Sequence, residues 1–303
     1  MKTHFRLRTP WPAALLAIAA ALVARPALAK PSTDNLQATP GFIRVTALFH
    51  ASTELDYRGR TILIDPIAAP NYSRRADIIL ITHTHADHFD PATIARELKP
   101  GGTLVVPPVA FEQVLALNLP GAKIKVLRNF QNTKVTYGPP LFAKPKILQT
   151  SLVLPVPARP ADNWDTGFDI RIKAVPAYNI VRGPDPMTKY HPKGLFNGYV
   201  ITMGNDRIYV AGDTEVTPEM KGLKNITAAF LPMNLPYTMT PQEAAAGARA
   251  FAPKVVYPYH YRYPFNQPND NPEQFAAALK GTHIQVRLLE WYPDYAVTRA
   301  MSK

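Results

Sequence analysis

One short segment of the chain combines several side chains that bind metal ions. Of the eight histidines, His83, His85 and His88 fall within six residues, and Asp87 lies beside the last of them. Imidazole nitrogen and carboxylate oxygen are the usual zinc ligands where thiolate is absent, and the chain contains no cysteine. A loop that turns His83 and His85 to one side and the other two residues to another would hold two metal ions. The spacing therefore favours a metal site over a chance cluster of surface histidines.

The flanking sequence places this segment at the end of a strand. Residues 77–81 form an apolar run typical of a buried strand, and Asp90-Pro91 is typical of an N-cap followed by proline. In α/β proteins, ligands and catalytic groups collect at the carboxyl ends of strands. Asp213 and His260 also follow apolar runs. Each alone is more typical of a turn or a structural histidine, but beside the histidine segment they indicate further metal ligands.

The order of the remaining elements predicts two packed sheets. Strands come first as hairpins and then alternate with helices, in both halves of the chain, which favours two sheets face to face with helices outside. Helices are predicted to begin at residues 91, 108, 218, 241 and 272. The predicted strands are residues 42–49, 52–57, 60–65, 77–81, 103–106, 124–127, 169–175, 197–203, 207–211, 228–231, 255–259 and 284–292.

Two segments read as irregular. Residues 30–40 are a polar lead-in, and six prolines punctuate residues 129–168. A connection this long in a compact domain is usually a lid or a binding loop. We therefore predict an insertion that borders the active site, with an added strand at 148–156. The alternative is that residues 129–168 form a surface loop that has no function.

The N-terminus has the composition of a cleaved signal peptide. Basic residues precede an uncharged run over residues 13–23, which is too short to span a bilayer, and Ala27-Leu28-Ala29 matches a cleavage site. We predict a signal peptide over residues 1–29 and a periplasmic or secreted domain over residues 30–303, with an uncleaved anchor as the alternative. Removing residues 1–29 takes away four Lys and Arg residues and no acidic residue, so the formal net charge falls from +12 to +8. A positive net charge of this size either serves only to keep the protein soluble or favours peripheral contact with anionic lipid.

Three motifs, in this order, resemble the metallo-β-lactamase-fold superfamily of metal-dependent hydrolases. They are His83-Thr84-His85-Ala86-Asp87-His88, Ala211-Gly212-Asp213-Thr214 and Pro258-Tyr259-His260-Tyr261. The resemblance spans roughly residues 42–290. The stretches 48–52 and 62–66 are similar to the branch that contains ascorbate-6-phosphate lactonase-like and N-acyl-phosphatidylethanolamine phospholipase D-like proteins.

The resemblance implies an α/β protein with a four-layer αββα sandwich and two metal ions, usually Zn2+. It assigns the ligands as follows: His83 and His85 to the first metal, Asp87, His88 and His260 to the second, and Asp213 as the bridge. The family supplies a further histidine after the strand at 169–175, in a slot that falls near Asn179 here. Asn179 is a weak amide-oxygen ligand, and His191 is the alternative. Mn2+ or Fe2+, which tolerate more oxygen donors, are therefore alternatives to zinc.

The implied chemistry is hydrolysis by a metal-activated hydroxide. Two cations lower the pKa of a shared water, which then attacks a carbonyl carbon or a phosphorus. Asp87 would orient the nucleophile and accept its proton. His191, His50 or Tyr178 would assist the leaving group. Alternatively, His50 and Asp65 would not react with the substrate but would orient the ligand histidines by hydrogen bonding to them.

The leading prediction is an exported metal-dependent hydrolase of ester, lactone or phosphodiester bonds. By resemblance, Asp213 disfavours β-lactamase activity, because true β-lactamases lack an aspartate in that motif. His85 disfavours the oxygen-reducing diiron branch, which carries glutamate there. A phospholipase D-like lipid hydrolase and a metal-binding protein with little catalysis are the alternatives. The predicted partner is a small-molecule or lipid substrate and not nucleic acid, because export separates the protein from intracellular RNA.

Overall fold

The computed structural model describes residues 32–69, 72–138, 167–265 and 271–292. Within them lie two seven-stranded sheets, in each of which neighbouring strands follow the order of the chain. The first sheet holds β1 Ser32–Gln37, β2 Phe42–Phe49, β3 Ser52–Tyr57, β4 Arg60–Ile64, β5 Ala76–Leu80, β6 Leu98–Val106 and β7 Lys123–Val126. The second holds β8 Asn132–Tyr137, β9 Phe168–Ala177, β10 Phe196–Met203, β11 Asp206–Val210, β12 Ala228–Pro232, β13 Val255–Tyr259 and β14 Gln285–Val286.

The helices are short, and four of the five begin with a proline that follows a capping residue. They are α1 Pro91–Glu97, α2 Phe111–Leu115, α3 Pro218–Lys221, α4 Pro241–Phe251 and α5 Pro272–Ala278, with a 3-10 turn at Pro108–Ala110. Asp90 caps α1 by accepting from Ala92 N and Thr93 N. Thr240 and Glu243 form a reciprocal capping box at α4. The predicted starts of these two helices are confirmed.

Alternation along the central strands builds four layers. On β12, Ala228 and Phe230 pack into a core that joins both sheets, whereas Ala229 and Leu231 pack against α3, α4 and α5. On β5, Ile79 faces a third cluster with α1 and α2. A strand buried on both faces reads as a continuous apolar run, which is what these sequences show. The predicted αββα sandwich is confirmed.

The strand pairing gathers the site at one end of the sandwich. The strands β4 to β7 pair in parallel, as do β11 to β14, and the remaining pairs are antiparallel. The carboxyl ends of parallel strands meet at one edge of a sheet. The segments that follow β4, β5, β11 and β13 therefore lie close together.

Strand β6 begins at Leu98, where the sequence predicts a strand from residue 103, and the helix predicted from residue 108 begins as a 3-10 turn, with α2 from Phe111. Three further differences lie at sheet margins. The lead-in at 30–40 contains β1, an outer strand paired with β2. The stretch at 129–168 begins with β8, which pairs with β9, and the strand at 148–156 lies outside the described residues. The closing strand is only Gln285–Val286, not 284–292. Outer strands depend on one neighbour and carry polar side chains, so their sequences lack a strong apolar pattern.

Among the described residues, no helix combines the length and apolar composition needed to cross a membrane.

Candidate metal centre

Four strand ends, one tight turn and the loop between β9 and β10, which carries His191, supply the site. Asp65 follows β4, the loop at 82–88 follows β5, Asp213 follows β11 and His260 follows β13. His50 lies in the turn between β2 and β3. The structure thus brings together the ligand candidates from both halves of the chain.

The first group of ligand atoms comes from His83, His85 and His191, which lie within 4.8 Å of one another. His83 Nε2 and His85 Nδ1 are 3.1 Å apart. His83 and His191 are buried, while His85 is exposed, so the site opens to solvent at His85. The Phe196 ring packs against all three imidazoles and makes an apolar wall behind them.

The second group contains Asp87, His88 and His260, with His50 beside them. Asp87 Oδ2 lies 3.8 Å from His88 Nε2 and 3.5 Å from His260 Nε2. The Asp87 side chain is 13% exposed, so this group also reaches the solvent-facing side.

Asp213 lies between the two groups with one oxygen towards each. Its Oδ2 is 3.3 Å from His191 Nε2, in the first group. Its Oδ1 is 3.4 Å from His88 Nε2 and 3.3 Å from His260 Nε2, in the second. This is the arrangement that a bridging carboxylate requires.

Several buried atoms of these residues have no hydrogen-bond partner among the described residues. They are His88 Nε2, His191 Nε2, both ring nitrogens of His260 and Asp213 Oδ1. Buried polar atoms in folded proteins are nearly always paired, because an unpaired one costs about 1–3 kcal/mol. Atoms of ligand type that lack partners and converge on one place fit a site for metal ions.

Neighbouring groups fix which ring nitrogen of His88 and His83 is available. The Asp65 carboxylate accepts from Thr82 N at 2.7 Å and from Thr82 Oγ1 at 2.6 Å. It also lies 2.8 Å from His88 Nδ1, so that nitrogen carries a proton and Nε2 is the nitrogen that faces the other ligand atoms. Because the Thr82 hydroxyl donates to Asp65, its oxygen accepts from His83 Nδ1 at 2.9 Å. His83 Nε2 is then also free to bind a cation.

Asn179 sets the orientation of His191. Asn179 Oδ1 accepts from His191 N at 2.8 Å and faces His191 Nδ1 at 2.7 Å. Its amide nitrogen donates to Tyr237 O at 2.8 Å. Both polar ends of Asn179 are thus occupied, and His191 Nε2 points to Asp213.

A buried carboxylate anchors the loop that carries His191. Glu215 accepts from the backbone nitrogens of residues 180, 181 and 182, at 3.1, 3.0 and 2.7 Å. It lies two residues beyond Asp213, so the strand end that supplies the bridging carboxylate also holds this loop.

The charges in the second group support one another. Burial alone would raise the pKa of Asp87, but the nearby His88, with the His260 and His50 side chains beside the carboxylate, holds that pKa well below its usual value. Asp213 behaves likewise, because His260 and His88 lower its pKa against the effect of burial. Burial alone would lower the pKa of His88, but Asp213 and Asp87 hold it well above its usual value, so a cation that binds Nε2 would displace a proton from that nitrogen.

The surroundings of His83 and His50 favour the neutral form of both side chains. Burial, with His88 nearby, lowers the pKa of His83 well below its usual value. Burial and His260 lower the pKa of His50 to about 3. A neutral imidazole is the form that binds a cation.

Three residues of the site have a strained backbone conformation. His50, Asp65 and His260 have φ angles of 56°, 45° and 50°, in the left-handed region that side-chain-bearing residues seldom occupy. Such strain persists where the surrounding structure holds the residue in place and is common at functional sites.

Some predicted residues lie apart from the two groups, and other contributors were not predicted. Tyr178 donates its hydroxyl to Glu219 Oε2 at 2.9 Å and so is engaged with α3. Thr82, Glu215 and Tyr292 contact site residues but were not singled out from the sequence. Thr82 directly precedes the histidine loop, so its position was the one available signal.

The comparisons with known proteins agree with this geometry. A family model described as a beta-lactamase superfamily domain matches residues 44–260. A UPF0173 metal-dependent hydrolase of Thermococcus onnurineus is 32% identical over 231 residues, covering 72% of this chain and 84% of that protein. One of Aeropyrum pernix is 29% identical over 259 residues, covering 82% and 94%.

Solved structures show the same fold. A protein of Parabacteroides distasonis described as a metal-dependent hydrolase superimposes with a TM-score of 0.66 at 34% identity, covering 86% of this chain and 99% of that one. Igni18, a metallo hydrolase of Ignicoccus hospitalis, superimposes with a TM-score of 0.57 at 21% identity, covering 82% and 95%.

Fold and site together define a metal-dependent hydrolase of the metallo-β-lactamase type. The chain belongs to the β-lactamase superfamily, and the relatives that it matches are UPF0173 metal-dependent hydrolases. The prediction of superfamily and enzyme class from the three motifs is confirmed.

Proposed function

We propose that this protein is an exported hydrolase of ester, lactone or phosphodiester bonds that holds two divalent metal ions, with zinc as the natural pair. The observation that carries the proposal is Asp213, whose two oxygens face two separate groups of ligand atoms. His83, His85 and His191 would hold the first ion. Asp87, His88 and His260 would hold the second, with Asp213 between them.

The donor atoms support zinc. The first group offers three imidazole nitrogens, and the second offers two with the carboxylate of Asp87. Nitrogen-rich sets with some carboxylate suit zinc better than manganese or calcium. His191 supplies the third nitrogen that the sequence pattern lacked at Asn179, so the first group needs no weak amide ligand.

Bound cations would acidify water and polarise the bond under attack. The protein contributes the rest. Asp87 receives the proton of the attacking water, on a side chain that reaches solvent. His191 has Nδ1 on Asn179 and Nε2 towards Asp213, which leaves no nitrogen for donating to a leaving group. We therefore place His191 among the ligands.

Hydrolysis is tested with the purified mature protein, depleted of metal and reloaded separately with Zn2+, Mn2+ or Fe2+. We expect turnover of one bond class among ester, lactone and phosphodiester panels. In Asp87→Asn this turnover falls by about 10²–10⁴-fold, the usual contribution of a proton acceptor. Two bound ions with no turnover in any panel would reject the proposed bonds and favour a metal-binding role. N-terminal sequencing of protein from the periplasm or medium tests export and cleavage after Ala29.

A lipid substrate is the second candidate, and one surface favours it. The loop that carries His191 exposes Val181 and Met187, which are 73% and 92% accessible, next to Ile180. The same loop carries Tyr190, whose half-buried ring lies 5.0 Å from that of Tyr237. The Tyr263 ring lies 5.8 Å from both the Tyr237 ring and the His50 ring, so aromatic side chains connect this loop with the site. Apolar side chains at a site mouth are typical of enzymes that take hydrophobic substrates.

Anionic and neutral vesicles distinguish the two candidates. A lipid hydrolase should act faster on anionic vesicles, and Ile180→Asp should reduce that gain. Leu115→Asp is the matched control, because Leu115 and Ile180 are both 48% exposed and Leu115 lies on α2. Equal rates with and without vesicles would support a small soluble substrate.

A further inference from the structure

His50 differs from its neighbours in the second ligand group. Its Nε2 lies 3.1 Å from Asp87 Oδ2, and its Nδ1 lies 2.8 Å from the Tyr292 hydroxyl. By contrast, neither ring nitrogen of His260 has a hydrogen-bond partner among the described residues. Distance alone would admit His50 as a further ligand, because it belongs to the same group. Its hydrogen bonds indicate another role.

The direction of these hydrogen bonds follows from the donors available. An ionised carboxylate only accepts, so the proton in the His50–Asp87 contact belongs to His50 Nε2. This holds whether the imidazole is neutral or charged. A protonated nitrogen has no lone pair for a cation, so Nε2 does not bind metal.

Tyr292 completes the chain. Its hydroxyl oxygen accepts from Arg262 N at 3.2 Å, which leaves its own hydrogen for His50 Nδ1. A neutral His50 then accepts at Nδ1 and donates at Nε2. The Arg262 backbone nitrogen, the Tyr292 hydroxyl and His50 Nε2 thus each meet an acceptor.

We propose that His50 is a positioning residue that holds Asp87 Oδ2, and that Tyr292 fixes the orientation of His50. Asp87 then has one oxygen restrained and the other available for the reaction. The role given to Asp87 rests on the proposed function, but the hydrogen-bond chain itself does not.

The surroundings of His50 hold this arrangement in place. The side chain is fully buried, and its ring lies 3.9 Å from the His260 ring. Its backbone nitrogen donates to Trp291 O at 3.3 Å, and its carbonyl accepts from His260 N at 3.4 Å. The segment at Trp291 and Tyr292 is thus bound to the site through both backbone and side chain.

The protonation pattern of His50 is measured by long-range proton–nitrogen correlation on protein with 15N-labelled histidine, metal-free and with zinc. The His50 signals are assigned by their loss in His50→Gln. We expect a protonated Nε2 and an acceptor Nδ1 in both states. In Tyr292→Phe the Nδ1 signal should move towards that of an unbonded acceptor. Tyr209→Phe, which removes another buried hydroxyl, should leave it unchanged.

Metal content and kinetics complete the test. Both His50→Gln and Tyr292→Phe should keep the metal content of the parent, and kcat should fall about 10-fold with KM unchanged, as for other supporting partners of a metal site. Loss of the Nε2 proton on zinc loading, or loss of one metal in His50→Gln, would make His50 a ligand and overturn the proposal. An unchanged Nδ1 signal in Tyr292→Phe would remove Tyr292 from the chain. The nitrogen signals do not depend on turnover, so failure of the hydrolase proposal remains a separate result.

Discussion

Asn179 holds His191 through one oxygen, which accepts from the His191 backbone nitrogen at 2.8 Å and faces its Nδ1 at 2.7 Å. The residue in the slot where the sequence resemblance expects a ligand histidine therefore orients a histidine 12 positions later. In the proposed metal site, the amide would therefore orient a ligand and would not itself be one.

This relationship predicts different losses in two variants. His191→Ala should remove one of two bound zinc ions, because the first group would keep only two nitrogens. Asn179→Ala should keep both ions at high zinc concentration, but the affinity of the first ligand group for zinc should fall by about 10–100-fold. Elemental analysis and zinc titration measure the two effects. His283→Ala, at an exposed histidine, is the control and should match the parent. Loss of an ion in Asn179→Ala at saturating zinc, with none in His191→Ala, would make Asn179 the ligand.

The approach of Asp213 to the ligands depends on Gly212. This glycine has a φ of +65°, and an added Cβ would lie 3.1 Å from both Asn197 O and Thr82 Cβ. Gly212→Ala should therefore displace Asp213 and weaken zinc binding as well as stability. Gly101 has a φ of +73° with nothing within 4 Å of its Cβ position, so Gly101→Ala is the control for backbone strain without a steric clash. That strain should lower the free energy of unfolding by about 1–2 kcal/mol. Equal zinc affinity in both variants would contradict the steric explanation.

Removal of metal should destabilise the whole sandwich, because the site joins strand ends of both sheets. Zinc at 100 times its dissociation constant should add about 2.7 kcal/mol to the free energy of unfolding per site. Chelation should lower the melting temperature, and added zinc should restore it. His83→Ala should show a smaller gain on adding zinc. A melting temperature independent of zinc would mean that the ions bind outside this site.

Asp77 predicts a pH effect away from the metal centre. Burial alone would raise the pKa of Asp77. Hydrogen bonds from Lys99 and Thr61 N, together with the Lys99 charge, hold that pKa below its usual value of 3.8. A lowered pKa in the folded state stabilises the protein above pH 3.8, and that stabilisation disappears as the pH falls through the folded-state pKa.

Asp77→Asn should therefore cost about 1–3 kcal/mol at pH 7 and progressively less towards pH 2. Urea unfolding across this range measures the difference. Glu112→Gln, at an exposed position on α2, should be neutral throughout. A constant cost for Asp77→Asn at all pH values would show that packing, and not charge, holds this position.

The sequence predicts the central strands and the ligands at their ends for a physical reason. Asp213 and His260 are polar residues that directly follow buried apolar runs, and the chain places such residues at the shared edge of parallel strands. The margins are harder to predict. Strand β1 carries polar side chains on an outer position, where backbone pairing and not burial defines the strand.

The sequence left the role of His191 open and did not single out Tyr292, because both depend on contacts that form only in the folded protein. His191 lies in a stretch without regular structure, and its place in the first group depends on Asn179 and on the loop held by Glu215. Tyr292 meets His50 across 242 residues. Such contacts follow from tertiary packing, which no local pattern encodes.

The most direct test of the two-metal site is the metal content of the purified mature protein under metal-replete conditions. The geometry of Asp213 between its two groups predicts two zinc ions per chain, falling to one in His191→Ala. One ion or none in the parent protein would contradict a dinuclear centre.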